Sequence, residues 1–239
     1  MSLPIWTPSV VLSESRYSQC EIWRVVEAQH VVSTMKIVDS LAEQELLEEI
    51  IEEWKPPVPE EAAGFNFLLT TPFRYQPLPG GSRFRSEHDP GVFYGAERLK
   101  SAAAEIGYRR WLFLQDTNGI DRLPPTPYTA FSVSVAGKMV DLRNSPFDRD
   151  TNSWTHPRNY GATQEFARAA RQAPIEAILY LSVRDPEPHF CIAVLTAAAF
   201  QSKEPNTMQT WTLTVLPEQA LWHTLGGTSF FLATEFWRR

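Results

Sequence analysis

Hydrophobic residues at helical spacing mark residues 40–54, SLAEQELLEEIIEEW, as the clearest helix of the chain. Ser40 and Glu43 have the spacing of a capping box at its start, and Pro56 and Pro57 end it. Its apolar face consists of Leu41, Leu46, Leu47, Ile50, Ile51 and Trp54. The glutamates along the helix are most simply a solvated surface, and a partner-binding surface is the minority interpretation.

Shorter apolar runs predict strands, and two further segments predict helices. Strands are expected near 65–70, 91–95, 129–136, 177–182, 190–195 and 210–216. Helices are expected near 96–110 and 161–172. Because strict strand–helix alternation is rare in this order, the pattern indicates an α+β fold rather than a doubly wound sheet. The 19 prolines predict long ordered loops between these elements.

The segment from Gly81 to Glu105 carries the most chemical information. It places Arg83, Tyr94 and Glu105 at intervals of eleven residues on a loop, a short strand and a helix. Arginine can bind phosphate or ribose oxygens with its fork of donors, and tyrosine can stack on a flat ring. A glutamate can stabilise positive charge on an oxocarbenium-like sugar. The three groups together suit a dinucleotide whose glycosidic bond is to be broken.

A structural interpretation of the same residues stays open at this point. Arg83 and Glu105 could form an ion pair, Tyr94 could be a core residue, and Glu105 could pair with Arg109 one turn along the helix. The apolar stripe of that helix consists of Leu99, Ala102, Ala103 and Ile106. Glu105 falls on the flank of this stripe, where we expect a half-buried carboxylate that can face a cleft.

This segment resembles the RES domain, a family named for its Arg, Glu and Ser. The family run has the form G-(G/S)-R-(W/F), then V-V-Y or V-F-Y, then an Ala/Leu-rich helix ending in Glu. The chain has GSRF at 81–84, GVFY at 91–94 and AAAE at 102–105, and ILYLSVRD at 178–185 resembles the family strand Y-P-S-(V/A)-R. Further matches are WRVVEAQH at 23–30, EEWKPPVP at 52–59, TPFRY at 71–75 and HPRNYGATQEFARAAR at 156–171. The resemblance therefore extends from about residue 20 to about residue 200.

The resemblance implies a fold, a substrate and a biological role. The fold is an ADP-ribosyltransferase-like core of short, mostly antiparallel strands with flanking helices and an N-terminal helical extension. All of 1–239 would form one domain, with the extension at 1–60 packed on a core at about 65–200 that holds the NAD site. Members degrade NAD by hydrolysis or phosphorolysis at the nicotinamide–ribose bond, or transfer ADP-ribose to a protein. They are best known as toxins of bacterial toxin–antitoxin pairs, held inactive by an Xre-type helix-turn-helix antitoxin.

The resemblance also implies roles for individual residues of this chain. Arg83 would bind the ribose or phosphates of NAD, Tyr94 would pack on its nicotinamide end, and Glu105 would act on the ribose. Ser182 would help to orient the substrate, and Arg74 in TPFRY is a further candidate for a phosphate contact.

The chain departs from the family pattern at two positions. Arg85 stands where the family often has Asn, and Leu181 stands where the residue before the serine is commonly Pro. A proline there would fix φ and remove a backbone donor, so Leu181 allows a different path for the strand before Ser182. An ordinary strand hydroxyl is the alternative for Ser182, and a non-catalytic interaction protein is the alternative for the whole chain.

Composition limits the kinds of partner that the chain can bind and the compartment in which we expect it. A formal net charge of −6 without a Lys/Arg block argues against direct binding of duplex DNA, whereas a small anion needs only one or two arginines. Cys20 and Cys191 are the only cysteines, which fits a reducing compartment. The N-terminal segment lacks the pattern of a signal peptide and no apolar run reaches the ~20 residues of a membrane span, so we expect a cytoplasmic protein.

Other chemistries lack their sequence signatures. There is no G-x-G-x-x-G, so NAD would not be bound as in a Rossmann fold, and there is no P-loop. The five histidines lie apart, without the spacing of metal ligands, so no metal is expected. His156 is expected to be a structural loop residue, and Tyr160 and Gln164 have no role that the sequence assigns. The number of subunits is open, a homodimer included.

Overall fold

The computed structural model describes residues 6–28, 39–77, 79–187 and 189–238. The last two residues of the WRVVEAQH match and the side chains of Glu48 and Glu52 lie outside this description. The helices are α1 (Pro8–Ser13), α2 (Leu41–Trp54), α3 (Phe67–Arg74), α4 (Leu99–Asp116), α5 (Thr151–Trp154) and α6 (Gly161–Gln172). The strands are β1 (Arg16–Glu27), β2 (Phe93–Ala96), β3 (Leu123–Asp141), β4 (Ala177–Leu181), β5 (Phe190–Val194), β6 (Thr207–Val215), β7 (Gln219–His223) and β8 (Ser229–Ala233).

The strands form one eight-stranded sheet in the order β1-β2-β5-β4-β3-β6-β7-β8. Its neighbours are antiparallel except for β3 and β4, which are parallel. In addition β1 pairs with β3, from Arg16 opposite Met139 to Glu27 opposite Tyr128. The pairings β1–β2–β5–β4–β3 therefore return to β1 and close a ring of five strands. The predicted α+β class with a mostly antiparallel sheet is confirmed.

Alternating side chains divide the core between the two faces of this sheet. Along β5, Cys191 and Ala193 belong to the core cluster on the side of α4, whereas Ile192 and Val194 belong to the cluster on the side of α3. A strand directs successive side chains to opposite faces, so one sequence supplies both clusters. Burial of each large apolar side chain stabilises the fold by about 1.5–3 kcal/mol.

The first half of helix α4 packs closely on its neighbours because its buried positions are small. Ala102, Ala103 and Ala104 are buried, and a Cβ atom at Gly107 would lie 3.0 Å from the Trp237 ring. Glu105 lies half-buried at the edge of this packed face, as its position in the helical pattern predicted. The helix thus carries the carboxylate to the margin of the core.

Two sequence predictions need correction or extension. The strand expected at 65–70 is wrong, because α3 occupies Phe67–Arg74 and begins where the Asn66 side chain accepts a hydrogen bond from the Leu68 amide at 2.9 Å. A short apolar run does not distinguish a buried strand from a buried helix. The N-terminal extension contains α1 and α2, but it also supplies β1, which the sequence pattern did not predict.

Helix α2 does not bury the apolar face that its pattern predicts. Leu46, Ile50 and Trp54 are exposed by 57%, 44% and 84%.

Within the described ranges, no helix combines the length and the apolar character that a membrane crossing requires.

Candidate active site

A cavity of about 320 Å³ lies between the sheet and α4. Its walls come from β1, β2, β4, β5, α4 and the loop that precedes β2. The charged residues that line it are Arg24, Arg83, Arg109, Arg184 and Glu105. Four guanidinium groups and one carboxylate give the cavity a positive potential, which favours an anionic ligand.

The loop that carries Arg83 is a tight turn built on two glycines. Gly80 and Gly81 have φ values of +84° and +71°, a region that residues with a Cβ atom rarely occupy. Beyond them, the Ser82 amide donates to the Arg85 carbonyl at 2.7 Å and the Arg85 amide donates to the Ser82 carbonyl at 3.2 Å. This backbone pairing presents the side chain of Arg83 to the cavity.

Tyr94 joins this loop to β2. Its hydroxyl accepts a hydrogen bond from the Phe84 amide at 2.9 Å and forms a second one with the Ser82 hydroxyl at 2.8 Å. Burial raises the pKa of Tyr94, so the phenol stays protonated at neutral pH. Tyr94 therefore lines the cavity with its ring while its hydroxyl fixes the loop.

Arg83 is buried, but only one of its guanidinium nitrogens donates hydrogen bonds to the described part of the chain. One nitrogen, Nη1, donates to the carbonyls of Trp154 at 2.7 Å and His156 at 3.1 Å. The guanidinium carbon lies 4.9 Å from the centroid of the Tyr160 ring, a cation–π distance. In the part of the chain that the structure describes, Nε and Nη2 have no hydrogen-bond partner, so they can bind a ligand in the cavity.

Glu105 is oriented by Ser182. The Ser182 hydroxyl donates to Glu105 Oε1 at 3.1 Å and accepts from the amides of Arg184 at 3.3 Å and Asp185 at 3.2 Å. The Cys191 thiol lies 3.9 Å from the same carboxylate oxygen. Ser182 is not among the residues that line the cavity. It therefore sits behind Glu105 and holds it.

The structural alternatives raised by the sequence have different outcomes. Tyr94 packs against the core cluster as well as lining the cavity. Among the described residues, no ion pair involves Arg83 or Glu105, either with each other or with Arg109. Both side chains instead line the cavity. An arginine and a glutamate that share a cavity without neutralising each other are typical of a binding site.

Arg184 is a further arginine that lines the cavity. Its carbon lies 3.5 Å from the centroid of the Tyr108 ring, and its side chain donates to the Pro157 carbonyl. Its own carbonyl accepts from Trp237 Nε1 at 2.8 Å. The C-terminal turn of the chain thus supports one wall of the cavity.

Arg24 lines the cavity although the sequence pattern did not identify it as a candidate. It lies on β1, and its Nη1 donates to the Tyr94 carbonyl at 2.7 Å. Burial, together with the smaller effect of the nearby charge of Arg109, lowers the pKa of Arg24 to about 10, so the group stays charged at neutral pH. Its buried Nε has no hydrogen-bond partner in the described part of the chain. A charged residue inside the apolar run IWRVV was the signal that could have identified it.

Tyr160 lines the cavity, whereas Arg74, Arg85 and Leu181 are not among its lining residues. Arg74 ends α3, and its side chain donates to the Pro56 carbonyl. Arg85 donates from Nε to the Asp89 carbonyl at 3.0 Å, behind the loop. Leu181 pairs with Phe190 and continues β4 to its end beside Ser182. The structure therefore brings Arg83, Tyr94 and Glu105 together and leaves Arg74 outside.

The His156 side chain forms hydrogen bonds with the backbone of its own loop. Its Nδ1 accepts from the amides of Arg158 at 3.2 Å and Asn159 at 2.9 Å, which shapes the turn before α6. Within the described ranges, no group of His, Cys, Asp and Glu side chains is arranged to hold a metal ion.

A comparison with protein-family models supports the family resemblance. The RES domain model matches residues 58–215, a range that contains Arg83, Tyr94, Glu105 and Ser182 but not Arg24. A comparison with curated proteins gives no significant match. Among solved structures, a chain of the M. tuberculosis MbcT–MbcA toxin–antitoxin complex is similar with a TM-score of 0.47 and 13% identity, over 87% of this chain and 92% of that chain.

Proposed function

The chain belongs to the RES domain family, and we propose that it is an enzyme that cleaves the nicotinamide–ribose bond of NAD. The observation that carries the proposal is the cavity shared by Arg83 and Glu105, in which each group is held by neutral partners and neither is paired with the other. A cation for the phosphates and a carboxylate for the ribose are the two charges that this reaction needs.

The reaction follows from the distribution of charge in the cavity. The pyrophosphate binds near the arginines, and the nicotinamide end lies near Tyr94. When the bond between ribose C1′ and the pyridinium nitrogen breaks, its electron pair goes to the nitrogen and neutral nicotinamide leaves. Positive charge then develops on the ribose, and the Glu105 carboxylate stabilises it. Ser182 keeps Glu105 in place through the 3.1 Å hydrogen bond.

The acceptor attacks C1′ and loses a proton, and it can be water, phosphate or a protein side chain. Purified protein is expected to release nicotinamide from labelled NAD. Free ADP-ribose identifies hydrolysis, its 1″-phosphate identifies phosphorolysis, and label on a protein identifies ADP-ribose transfer. If a correctly folded protein releases no nicotinamide with any of the three acceptors, the proposed reaction is wrong.

The proposed biological role is that of a toxin controlled by a separate antitoxin, which the family resemblance implies to be of the Xre helix-turn-helix type. The chain is acidic, with a net charge of −6, so we expect the antitoxin rather than this chain to contact DNA. Expression of the chain in a bacterium is expected to stop growth as cellular NAD falls. If a helix-turn-helix reading frame lies beside its gene, co-expression of that frame should restore both growth and NAD. Growth arrest at an unchanged NAD level would contradict this role.

A further inference from the structure

Helix α6 directs one polar face at the loop that carries Arg83. Gln164 Nε2 lies 3.2 Å from the Gly80 carbonyl oxygen, 3.0 Å from that of Ser82 and 3.3 Å from that of Arg85. Gln164 is not among the residues that line the cavity. Its contacts are therefore with the backbone of the loop, on the side away from the ligand space.

The same helix face continues along the loop. Arg168, one turn beyond Gln164, lies 3.4 Å from Asp89 Oδ1, and Arg171 Nη2 donates to the Pro90 carbonyl at 3.2 Å. Residues spaced by three and four lie on one side of a helix, so the three side chains form a row against residues 80–90. Gln164 is the member of this row that contacts the turn around Arg83.

Three carbonyl oxygens that converge on one point repel each other unless a donor lies between them. The amide of Gln164 supplies two N–H groups to this point, shared among the three oxygens. The turn contains two glycines at positive φ, whose backbone has more freedom to lose than that of other residues. Without the amide, the loop is expected to open toward other conformations, and Arg83 moves with it.

We infer that Gln164 is a positioning residue that holds Arg83 in its substrate-binding orientation by clamping the carbonyls of residues 80, 82 and 85. The inference rests on the proposed function, because it assigns Arg83 to the binding of NAD. Gln164 itself touches neither the substrate nor the reacting atoms.

The first test compares KM and kcat for nicotinamide release in two variants. Gln164→Met removes the donors at nearly constant length and is expected to raise KM for NAD about 10-fold, with a smaller change in kcat. Gln164→Glu places a carboxylate against three carbonyls and is expected to raise KM further. Gln172→Met is the matched control, because Gln172 is an exposed glutamine at the end of the same helix. Wild-type KM in both Gln164 variants would overturn the inference.

A double-mutant cycle separates positioning from general stability. If Gln164 acts through Arg83, Gln164→Met should cost nothing further in a chain that already carries Arg83→Ala. Losses that add would mean that Gln164 acts independently of Arg83, which overturns the inference. Gln164→Lys supplies three donors on a chain of similar length and should recover a KM near that of the wild type.

Hydrogen exchange keeps the inference testable if the wild type releases no nicotinamide. Gln164→Met is expected to speed exchange of the Ser82 and Arg85 amides, which are hydrogen-bonded within the turn, and of the Phe84 amide, which donates to the Tyr94 hydroxyl. Faster exchange there in a protein without NAD turnover would sustain the clamp and refute the NAD reaction alone. Unchanged exchange would overturn the clamp, whatever the activity.

Discussion

Glu105→Gln is expected to lower nicotinamide release from NAD by about 10³-fold, equivalent to about 4 kcal/mol of transition-state stabilisation. The substitution removes the negative charge at nearly constant volume. An amide oxygen can still accept the hydrogen bond that Ser182 gives to Oε1 at 3.1 Å, so the side chain should keep its orientation. The loss would then come from the missing charge rather than from a displaced group.

The fold is expected to withstand this change. Glu105 is half-buried, and no ion pair in the described part of the chain uses its carboxylate, so the amide leaves no cation without a paired counter-charge. Asp116→Asn is the matched control, because Asp116 is an exposed carboxylate at the end of the same helix. The control should turn over NAD at the wild-type rate, and all three proteins should melt within a few degrees of one another. Equal rates in Glu105→Gln and the wild type would exclude Glu105 from the chemistry.

The sequence predicts the elements around the cavity best in the segment 81–105. Its spacing predicted a loop, a strand and a helix, and those elements carry Arg83, Tyr94 and Glu105 to one cavity. The strand and the helix were predicted correctly because local signals mark them, the glycines before and within β2 and the alanines of α4. Local signals suffice when the residues of a site are close in sequence.

The parts that sequence could not predict depend on distant pairings. Arg24 reaches the cavity because β1 pairs with β2 at Trp23 and Ala96, a contact between segments more than 70 residues apart. The clamp by Gln164 likewise joins α6 to a loop 79–84 residues earlier. Such contacts leave no periodic pattern in one sequence.

Strand β3 was predicted too short, since the prolines of its LPPTP start are typical of a loop.

Gly81→Ala is expected to lower kcat/KM for NAD by about 10²-fold, because it displaces the loop that orients Arg83. A Cβ atom at this position would lie 2.2 Å from the Arg85 carbonyl oxygen and 2.9 Å from Ser86 Cα. Both are backbone atoms, so the clash cannot be relieved by rotation of a side chain. The turn closed by Ser82 and Arg85 must shift, and a shift of about 1 Å in a binding group is enough for a loss of this size.

Gly80→Ala separates this clash from the cost of the backbone conformation. Gly80 also has a positive φ, +84°, but among the described residues no heavy atom beyond its chain neighbours lies within 4 Å of a Cβ built there. Both variants should lose about 1–2 kcal/mol of stability from the left-handed conformation, and Gly81→Ala should lower the melting temperature further because of its backbone clash. Only Gly81→Ala should lose NAD turnover as well. Wild-type activity in both variants would mean that substrate binding does not depend on the turn that places Arg83. The NAD site would then have to be built from other cavity residues.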